Sequence, residues 1–264
     1  MGELVFIGLG LYDERDVTLK GLEEARSCDL LFAEFFTSSL VGTGPRRLSN
    51  LYGKKIKVLT REEVEEGDIM VEAAMSRRVG FLVAGDPMAA TTHVELRLRA
   101  HRAGVSTRVV AGVSALTAVA GVLGLQIYKF GSITSIPFRE EGFEPLSPYE
   151  VVGMNGVAGL HSLVLLDIQE ERYMTAGEGI EYLLRCEAEL SKGVFLPETA
   201  ICVVGRLGSS QPLVRADRVG TLLEEDLGTP LHALVIPGKL HFMEVECLSE
   251  FAGLPEDLAQ SFNP

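Results

Sequence analysis

The sequence predicts an α/β protein of two domains, and three observations lead to this prediction. A chain of 264 residues is longer than one ordinary domain and shorter than three. Near-continuous apolar runs of strand length, such as residues 4–9 and 79–84, are typical of strands buried on both faces. Helical segments with clear start signals alternate with these runs, which indicates a mainly parallel sheet covered by helices.

The first half of the chain gives the clearer element pattern. Strands are predicted at residues 4–9, 30–35, 79–84 and 108–110. A helix capped by Thr18 should run to about Cys28, and another should begin at the capping box of Thr60 and Glu63. Thr91 or Thr92 should cap a third helix that stops at Gly104, and Ser114 should start a fourth.

The pattern changes after about residue 125. Strands are predicted at residues 132–137, 163–166, 200–204, 213–216 and 231–236, some of them antiparallel. A second capping box, Thr175 with Glu178, opens a helix to about residue 190. Because helices still separate these strands, we expect a second α/β domain, with domains at residues 1–122 and 123–264.

Composition excludes several classes of protein. The net charge of −13 argues against a general nucleic-acid binder, whose affinity comes from neutralising phosphates, and against docking on an anionic membrane. The chain has no signal-peptide pattern and no apolar window long enough to span a bilayer, so we expect a cytoplasmic protein. Four scattered cysteines and five histidines show no metal-ligand spacing, and no metal site is predicted.

The first of three glycine-bearing strand ends is Gly8-Leu9-Gly10, followed by Asp13. It is similar to the dinucleotide fingerprint, and Glu34 ends the second strand where a ribose-binding acid would lie. Two details oppose an NAD or FAD site: Asp13 replaces the third glycine, and a helix that begins near Thr18 starts too late to point at a pyrophosphate. A tight turn without a ligand is the remaining alternative.

The second strand end is Gly85-Asp86-Pro87. A carboxylate here faces the crevice in which open α/β sheets bind ligands, and Gly85 allows close approach of a ligand to the backbone. A purely structural turn remains the alternative, and for His93 packing at a helix start is favoured over substrate contact. The third strand end leads to Ser114, which either caps a helix or faces the same crevice as Asp86.

Taken in order, these strand ends and several later motifs resemble the diphthine synthases, a branch of the tetrapyrrole-methylase-like family. The motifs are GLGLYDERD from Gly8, AEFFTSSL from Ala33, GDPMAATTH from Gly85, GLQIYKFG from Gly124, GLHSLVLLDI from Gly159, RYMTA from Arg172 and PLHALVIPGKLH from Pro230. The resemblance runs from about residue 3 to about residue 255. It implies two α/β domains with S-adenosyl-L-methionine in the cleft between them, in a homodimer. It also implies methylation, and in this family trimethylation, of the amino group of a modified histidine in elongation factor 2 to give diphthine, a step towards diphthamide.

The resemblance also implies which residues contact the cofactor. These are Leu11, Asp86, Ala89, Ser114, Ala115, Leu166, Leu207 and His232. The leucines could enclose the adenine, and Asp86 offers an acceptor to the ribose hydroxyls or the ammonium group. The glycine-containing segment around Leu207 matches the family pattern more loosely, and the small side chains of Ala89 and Ala115 suit contacts through the backbone.

For methyl transfer from S-adenosyl-L-methionine to an amine, the protein must mainly align the donor with the amine and exclude water. The attacking amine must be neutral, but no base is assigned; Asp13, His93 and His232 are candidates with structural alternatives. Four aromatic side chains could face a quaternary ammonium or simply pack in the core: Tyr12, Phe35, Phe36 and Phe138. Two other functions remain open, methylation of a corrin or tetrapyrrole precursor and a non-catalytic nucleotide-binding or interaction role.

Overall fold

The computed structural model describes residues 2–139, 142, 144–169 and 172–262. It divides into two compact units, Met1–Ala115 with Gly208–Ser210, and Leu116–Leu207 with Gln211–Pro264. The division therefore falls at the first residue of a helix, seven residues before the end of the first predicted domain at residue 122. Between the strands predicted at residues 132–137 and 163–166, residues 140, 141 and 143 lie outside the described residues.

The first unit is built on a five-stranded sheet in the order β3-β2-β4-β1-β5. Its strands are β1 (Glu3–Gly8), β2 (Leu30–Glu34), β3 (Ile56–Val58), β4 (Arg78–Val83) and β5 (Ser106–Val110). Every pairing in this sheet is parallel, as the sequence predicts. The apolar side chains of β1 and β4 are buried on both faces, which explains their continuous apolar runs.

Helices cover this sheet. They are α1 (Leu19–Ser27), α2 (Pro45–Tyr52), α3 (Arg61–Glu65), α4 (Ile69–Ala74) and α5 (His93–Arg102). The next helix, α6 (Ala115–Leu123), begins at the last residue of this unit and continues in the second unit. The Thr18 cap and the capping box of Thr60 and Glu63 are confirmed. The prediction for α5 was wrong in one respect: Thr92 is its N-cap residue, but its side chain makes no capping hydrogen bond. The weakly patterned elements α2, β3 and α4 were not predicted.

The second unit contains a five-stranded sheet in the order β11-β10-β12-β7-β6. Its strands are β6 (Thr134–Ile136), β7 (Ser162–Leu166), β10 (Ala200–Gly205), β11 (Leu213–Arg218) and β12 (His232–Ile236). Three pairings are antiparallel and only the β6–β7 pairing is parallel, which confirms the expected mixed sheet. A small ladder of β8 (Ile168–Gln169) and β9 (Arg172–Tyr173) follows β7.

The helices of the second unit are α7 (Ser147–Val157), α8 (Ala176–Leu190), α9 (Val219–Glu224), α10 (Phe242–Ala252) and α11 (Glu256–Phe262). The capping box of Thr175 and Glu178 is confirmed at the start of α8. A third capping box, in which His241 takes the role of the usual Ser or Thr and pairs with Glu244, opens α10. Within the described residues, no helix is long and apolar enough to cross a membrane.

Candidate functional site

The predicted site residues of the first unit follow neighbouring strands. Strand β1 lies between β4 and β5, and all three run parallel. The turns after these strands carry Leu11, Asp86 and Ser114, so they meet at one edge of the sheet, here called the carboxyl edge. Ala89 lies in the turn after β4, where its N–H donates to the Asp86 carbonyl at 3.3 Å, and Ala115 is the first residue of α6.

Glycine backbones pack directly against each other at the carboxyl edge. A Cβ on Gly112 would lie 2.1 Å from the carbonyl oxygen of Gly85, and a Cβ on Gly8 would lie 2.5 Å from the nitrogen of Gly112. Neither position has room for a side chain. Gly10 and Gly85 also form a two-residue antiparallel bridge, with φ angles of +84° and +71° that favour glycine. The three strand ends are therefore held together through their main chains.

The turn after β1 is closed by a carboxylate of its own chain. Asp16 Oδ2 accepts hydrogen bonds from the N–H groups of Leu11, Tyr12 and Asp13, at 3.2, 2.7 and 3.4 Å. These convergent amides are the kind of group that holds a phosphate in dinucleotide-binding turns. Because Asp16 already occupies them and α1 begins only at Leu19, the arrangement disfavours a pyrophosphate-binding site.

Asp86 joins two of the turns. Its Oδ1 accepts from the N–H of Met88 at 3.0 Å, and its Oδ2 accepts from the N–H of Gly112 at 3.1 Å. The sequence suggested a ligand contact or a structural turn for this residue; the structure shows that the carboxylate supports the turns after both β4 and β5. Each carboxylate oxygen can accept more than one hydrogen bond, so Asp86 keeps capacity for a hydroxyl or ammonium donor.

Glu34 and His93 are buried side chains rather than exposed ligand contacts. Glu34 accepts hydrogen bonds from the N–H groups of Phe36 and Thr37, each at 2.9 Å, and from the Thr37 hydroxyl. His93 Nδ1 lies 3.1 Å from the carbonyl oxygen of Pro87, and its ring packs edge-on against Phe81. Burial lowers the pKa of His93, partly opposed by the charge of Glu34. His93 is therefore a buried packing residue at the start of α5.

The three predicted residues of the second unit also share one edge of their sheet. Gly205, the last residue of β10, pairs with His232, the first residue of β12, and Leu207 follows two residues later. The neighbouring pair is Ala233 with Leu165, so Leu166 at the end of β7 lies at the same level. We call this the site edge of the second sheet.

Both ring nitrogens of His232 are engaged within the protein. Nδ1 accepts from the N–H of Ala176 at 3.2 Å, and Nε2 lies 3.2 Å from the carbonyl oxygen of Leu227. Nε2 therefore carries the proton, and burial lowers the pKa of the ring. This neutral imidazole fixes the start of α8 against β12, so a ligand contact at His232 would be made by its backbone or ring face.

Leu166 and Leu207 are placed differently. Leu166 packs on the core of the second unit, and a Cβ added to Gly179 of α8 would lie 2.7 Å from its Cδ2 atom. The turn to Leu207 is set by Arg206, whose φ is +51° and whose guanidinium donates to the carbonyls of Leu227 and Thr229. Both leucines are partly exposed.

The remaining candidates have partners of their own. Asp13 forms an ion pair with Arg15 at 2.6 Å, and hydrogen bonds from Arg15 hold its pKa below the ordinary value. Arg172 stacks over the Phe138 ring at 4.0 Å, and Arg61 lies over Phe36 at 4.9 Å. Two of the four aromatic candidates thus already face a cation of the protein. In the described ranges, no three His, Cys, Asp or Glu side chains meet as possible metal ligands.

The structure thus brings five predicted residues to the carboxyl edge and three to the site edge. Sequence reasoning missed the role of Asp16. A signal was present, because Asp, like Asn, commonly accepts from backbone N–H groups a few residues away in a turn. The contribution of Gly112 was also missed, since only the folded sheet brings it against Gly8 and Gly85.

Comparison with known proteins shows the family to which this chain belongs. Residues 3–223 match the model of the Tetrapyrrole (Corrin/Porphyrin) Methylases. The chain is 49% identical over 259 residues to the diphthine synthase of Methanothermobacter thermautotrophicus, covering 97% of this chain and 98% of that protein. It is 45% identical to the diphthine synthase of Methanosarcina acetivorans, at 96% and 97% coverage. A crystal structure of diphthine synthase matches with a TM-score of 0.90 and 37% identity, over 98% of this chain and 99% of that one.

Proposed function

Since the chain belongs to the tetrapyrrole methylase family and, within it, to the diphthine synthases, we propose that it methylates the amino group of the modified histidine of elongation factor 2. The product would be diphthine, a step of diphthamide biosynthesis. The observation that carries this proposal is similarity to diphthine synthases over nearly the whole chain, at 49% identity. Methylation of a corrin or tetrapyrrole precursor is not favoured, because the relatives of high coverage are diphthine synthases.

We propose S-adenosyl-L-methionine as the methyl donor. Two features of the carboxyl edge fit this molecule, which has no phosphate. The amides after β1 are occupied by Asp16, and the glycine-lined turns let a ligand approach the backbone closely. The contacts would come from Leu11, Asp86, Ala89, Ser114, Ala115, Leu166, Leu207 and His232. When bound, the donor supplies a methyl group already activated by its sulfonium charge.

The residues of the chain itself would bind the methyl donor, orient it towards the amine and exclude water from the site. Leu11 has its N–H bonded to Asp16, which leaves its side chain and carbonyl for the ligand. Asp86 is held by two backbone N–H groups, so its carboxylate is oriented before any ligand arrives. Such preorganisation is the contribution expected of a protein that aligns a donor with an amine. Neither Asp13 nor His232 is free to accept the proton of the amine.

The test of the function is methyl transfer. The enzyme is incubated with labelled S-adenosyl-L-methionine and elongation factor 2 that carries the unmethylated intermediate, and the modified residue is analysed by mass spectrometry. We expect label at that histidine, and the number of added methyl groups is read from the mass. Elongation factor 2 with an unmodified histidine is the control and should stay unlabelled. Label found only on a tetrapyrrole would refute the proposal in favour of the alternative.

The cofactor contact is tested at Asp86. Replacing it with Ala removes the acceptor for Met88 and Gly112 as well as any ligand bond, so Asp86→Ala should weaken S-adenosyl-L-methionine binding by about 1.5–3 kcal/mol. Calorimetric titration measures this loss. Asp68→Ala is the control, because Asp68 is exposed and its carboxylate pairs with Arg99 of α5 and not with the backbone of the three turns. Equal affinity in the wild type and Asp86→Ala would contradict the assignment.

We also propose that the chain forms a homodimer and acts in the cytoplasm. Most soluble homo-oligomers are twofold dimers. Light scattering at micromolar concentration should give twice the chain mass of 28.6 kDa.

A further inference from the structure

Two side chains beside the site edge of the second sheet are not used in the proposed cofactor site, those of Phe138 and Arg172. Strand β6 pairs in parallel with β7, and its last residue, Ile136, lies opposite Leu166. Phe138 follows two residues later, so it leaves the sheet at the same edge as Leu166. Its N–H donates to Asp167 Oδ2 at 2.8 Å, which holds Phe138 beside this edge.

The guanidinium of Arg172 lies over the Phe138 ring, with its central carbon 4.0 Å from the ring centre. Arg172 belongs to the RYMTA motif and pairs with Gln169 in the small ladder of β8 and β9. Phe138 is 4% exposed and is part of the core of the second unit, whereas the Arg172 side chain is 64% exposed. Arg172 therefore covers the face of the ring that is directed away from the core.

A fixed carboxylate, that of Glu178, lies beside this cation. Its Oε1 accepts from Arg172 Nη2 at 2.9 Å, and its Oε2 accepts from the N–H and the hydroxyl of Thr175 at 2.8 and 3.0 Å. Burial raises the pKa of Glu178, but these hydrogen bonds outweigh it and lower the pKa. Because Thr175 holds the carboxylate, Glu178 keeps its place when Arg172 moves away. The next residue, Ala176, donates to His232 of the site edge.

An aromatic face with a negative charge beside it attracts ammonium groups. The ring attracts a cation through its quadrupole, and proteins recognise quaternary ammonium ligands in this way. A guanidinium uses the same attraction, so Arg172 occupies the position that the cation of a ligand would take. Asp167, whose carboxylate accepts from the N–H groups of Phe138 and Ile168, adds a second negative charge to the same region.

The contacts of Arg172 are weak enough for a ligand to displace it. An exposed cation–π contact and an exposed ion pair each change an equilibrium constant about two- to fivefold. When Arg172 leaves the ring, its guanidinium regains hydrogen bonds to water. A methylated ammonium has fewer N–H groups to hydrate, and a cation–π contact becomes stronger when the cation is removed from water. The exchange of one cation for the other is therefore favourable.

We propose that the Phe138 ring and the Glu178 carboxylate bind the amine of the acceptor as it becomes positively charged, and that Arg172 covers this subsite until the acceptor enters. At each transfer the acceptor nitrogen forms a bond to the methyl carbon, the bond from that carbon to sulfur breaks, and the positive charge passes from sulfur to nitrogen. After the first and second transfers the nitrogen gives a proton to water, whereas the third transfer leaves a permanent cation. The inference rests on the proposed function, because it takes the acceptor to be an amine.

Tetramethylammonium tests the subsite without donor or acceptor. Its dissociation constant is measured by NMR titration of the protein. We expect binding to the native protein and about fivefold tighter binding to Arg172→Ala, because the competing guanidinium is removed. Adding Phe138→Leu to this variant should abolish the gain, since leucine fills the space without an aromatic face.

Arg61→Ala is the matched control for this titration. Arg61 likewise lies over a phenylalanine, Phe36, at 4.9 Å and pairs with a glutamate, Glu65, at 3.4 Å. The control removes the same charge, but Phe138 stays covered, so the affinity for tetramethylammonium should not change. Equal tightening in Arg61→Ala and Arg172→Ala would overturn the proposal, and so would unchanged affinity in Arg172→Ala.

Methyl transfer by Phe138→Leu provides a second test. We expect kcat to fall about fivefold or more and incompletely methylated acceptor to accumulate, as read from its mass. The dissociation constant of S-adenosyl-L-methionine should stay within about twofold of the native value. An equal loss of donor affinity would show that the ring serves the sulfonium instead, and this would overturn the proposal. An unchanged rate with complete methylation would also overturn it.

The two proposals fail separately. If elongation factor 2 gains no label but tetramethylammonium binds at Phe138 as expected, the acceptor is refuted and the ammonium subsite stands. If elongation factor 2 is methylated by a protein that does not bind tetramethylammonium, only the subsite is refuted.

Discussion

At the scale of single residues, the carboxyl edge is governed by main-chain packing and by carboxylates that serve the protein itself. Asp16 closes the turn after β1, and Asp86 joins the turns after β4 and β5. Both act through backbone N–H groups, which are costly to leave unpaired once buried. A carboxylate in a glycine-rich turn can therefore stabilise the turn through backbone hydrogen bonds, whether or not it also contacts a ligand.

Gly112 gives the sharpest test at this scale. In Gly112→Ala the new Cβ would lie 2.1 Å from the Gly85 carbonyl oxygen, so the turns must separate. We expect a loss of roughly 2 kcal/mol or more in the free energy of unfolding, together with weaker S-adenosyl-L-methionine binding. Urea unfolding and calorimetry measure the two effects.

Gly121→Ala is the matched control for this prediction. Gly121 lies inside α6, and nothing stands within 4 Å of an added Cβ. Replacing a helix-interior glycine with alanine should be neutral or stabilise the protein by up to about 1 kcal/mol. If Gly112→Ala were tolerated as well as Gly121→Ala, the close contact of the turns would be refuted.

At the scale of elements, buried acids tie helices to the loops beside them. Glu187 of α8 accepts hydrogen bonds from the Tyr149 hydroxyl at 2.6 Å and from three consecutive N–H groups, those of residues 193, 194 and 195. The loop that leaves α8 is thereby folded back on the helix and on α7. Although burial alone would raise its pKa, these hydrogen bonds lower the pKa of Glu187 from 4.5 to about 2.

This lowered pKa predicts a specific dependence of stability on pH. A carboxyl that is more acidic in the folded state stabilises the protein above its unfolded pKa, and this contribution is lost as the pH falls from about 4.5 towards about 2. Glu187→Gln should cost about 2 kcal/mol or more at pH 7, because an amide cannot accept all four hydrogen bonds. The variant should also lose less stability than the wild type on acidification.

Urea unfolding across this pH range measures the effect, and Glu189→Gln is the control. Glu189 lies on the same helix but is exposed, so its replacement should change neither the stability at pH 7 nor the acid dependence by much. Parallel pH profiles for Glu187→Gln and the wild type would show that the Glu187 cluster does not set the acid response.

At the scale of the whole molecule, the net charge of −13 affects the rate at which the protein associates with its partners, and it does not determine the fold. An acidic enzyme should attract an acceptor loop that carries a cationic amine. Exposed charges are screened over about 10 Å at 0.1 M salt, so kcat/KM for elongation factor 2 should fall as salt rises from about 0.02 to about 0.3 M. The rate at saturating acceptor should change little. A kcat/KM that does not depend on salt would exclude steering by charge.

The sequence by itself determined the fold class, the ends of the main strands and the starts of five of the eleven described α-helices, because these depend on local patterns. The capping boxes of Thr60 with Glu63 and Thr175 with Glu178 span three residues each, and the structure forms both. The glycines and Asp86 of the turn after β4 likewise located an edge of the first sheet. Family membership could be inferred for the same reason, since its motifs are short continuous runs.

Only the tertiary structure decided what these groups bond to. Asp86 meets the N–H of Gly112, 26 residues away, and His232 meets the N–H of Ala176, 56 residues away. Glu244 meets Lys129 and Gln126 across more than a hundred residues. A hydrogen bond requires its two atoms within about 3 Å. Local sequence patterns do not encode such a distance between remote segments, because it arises only when the sheets bring the strand ends together.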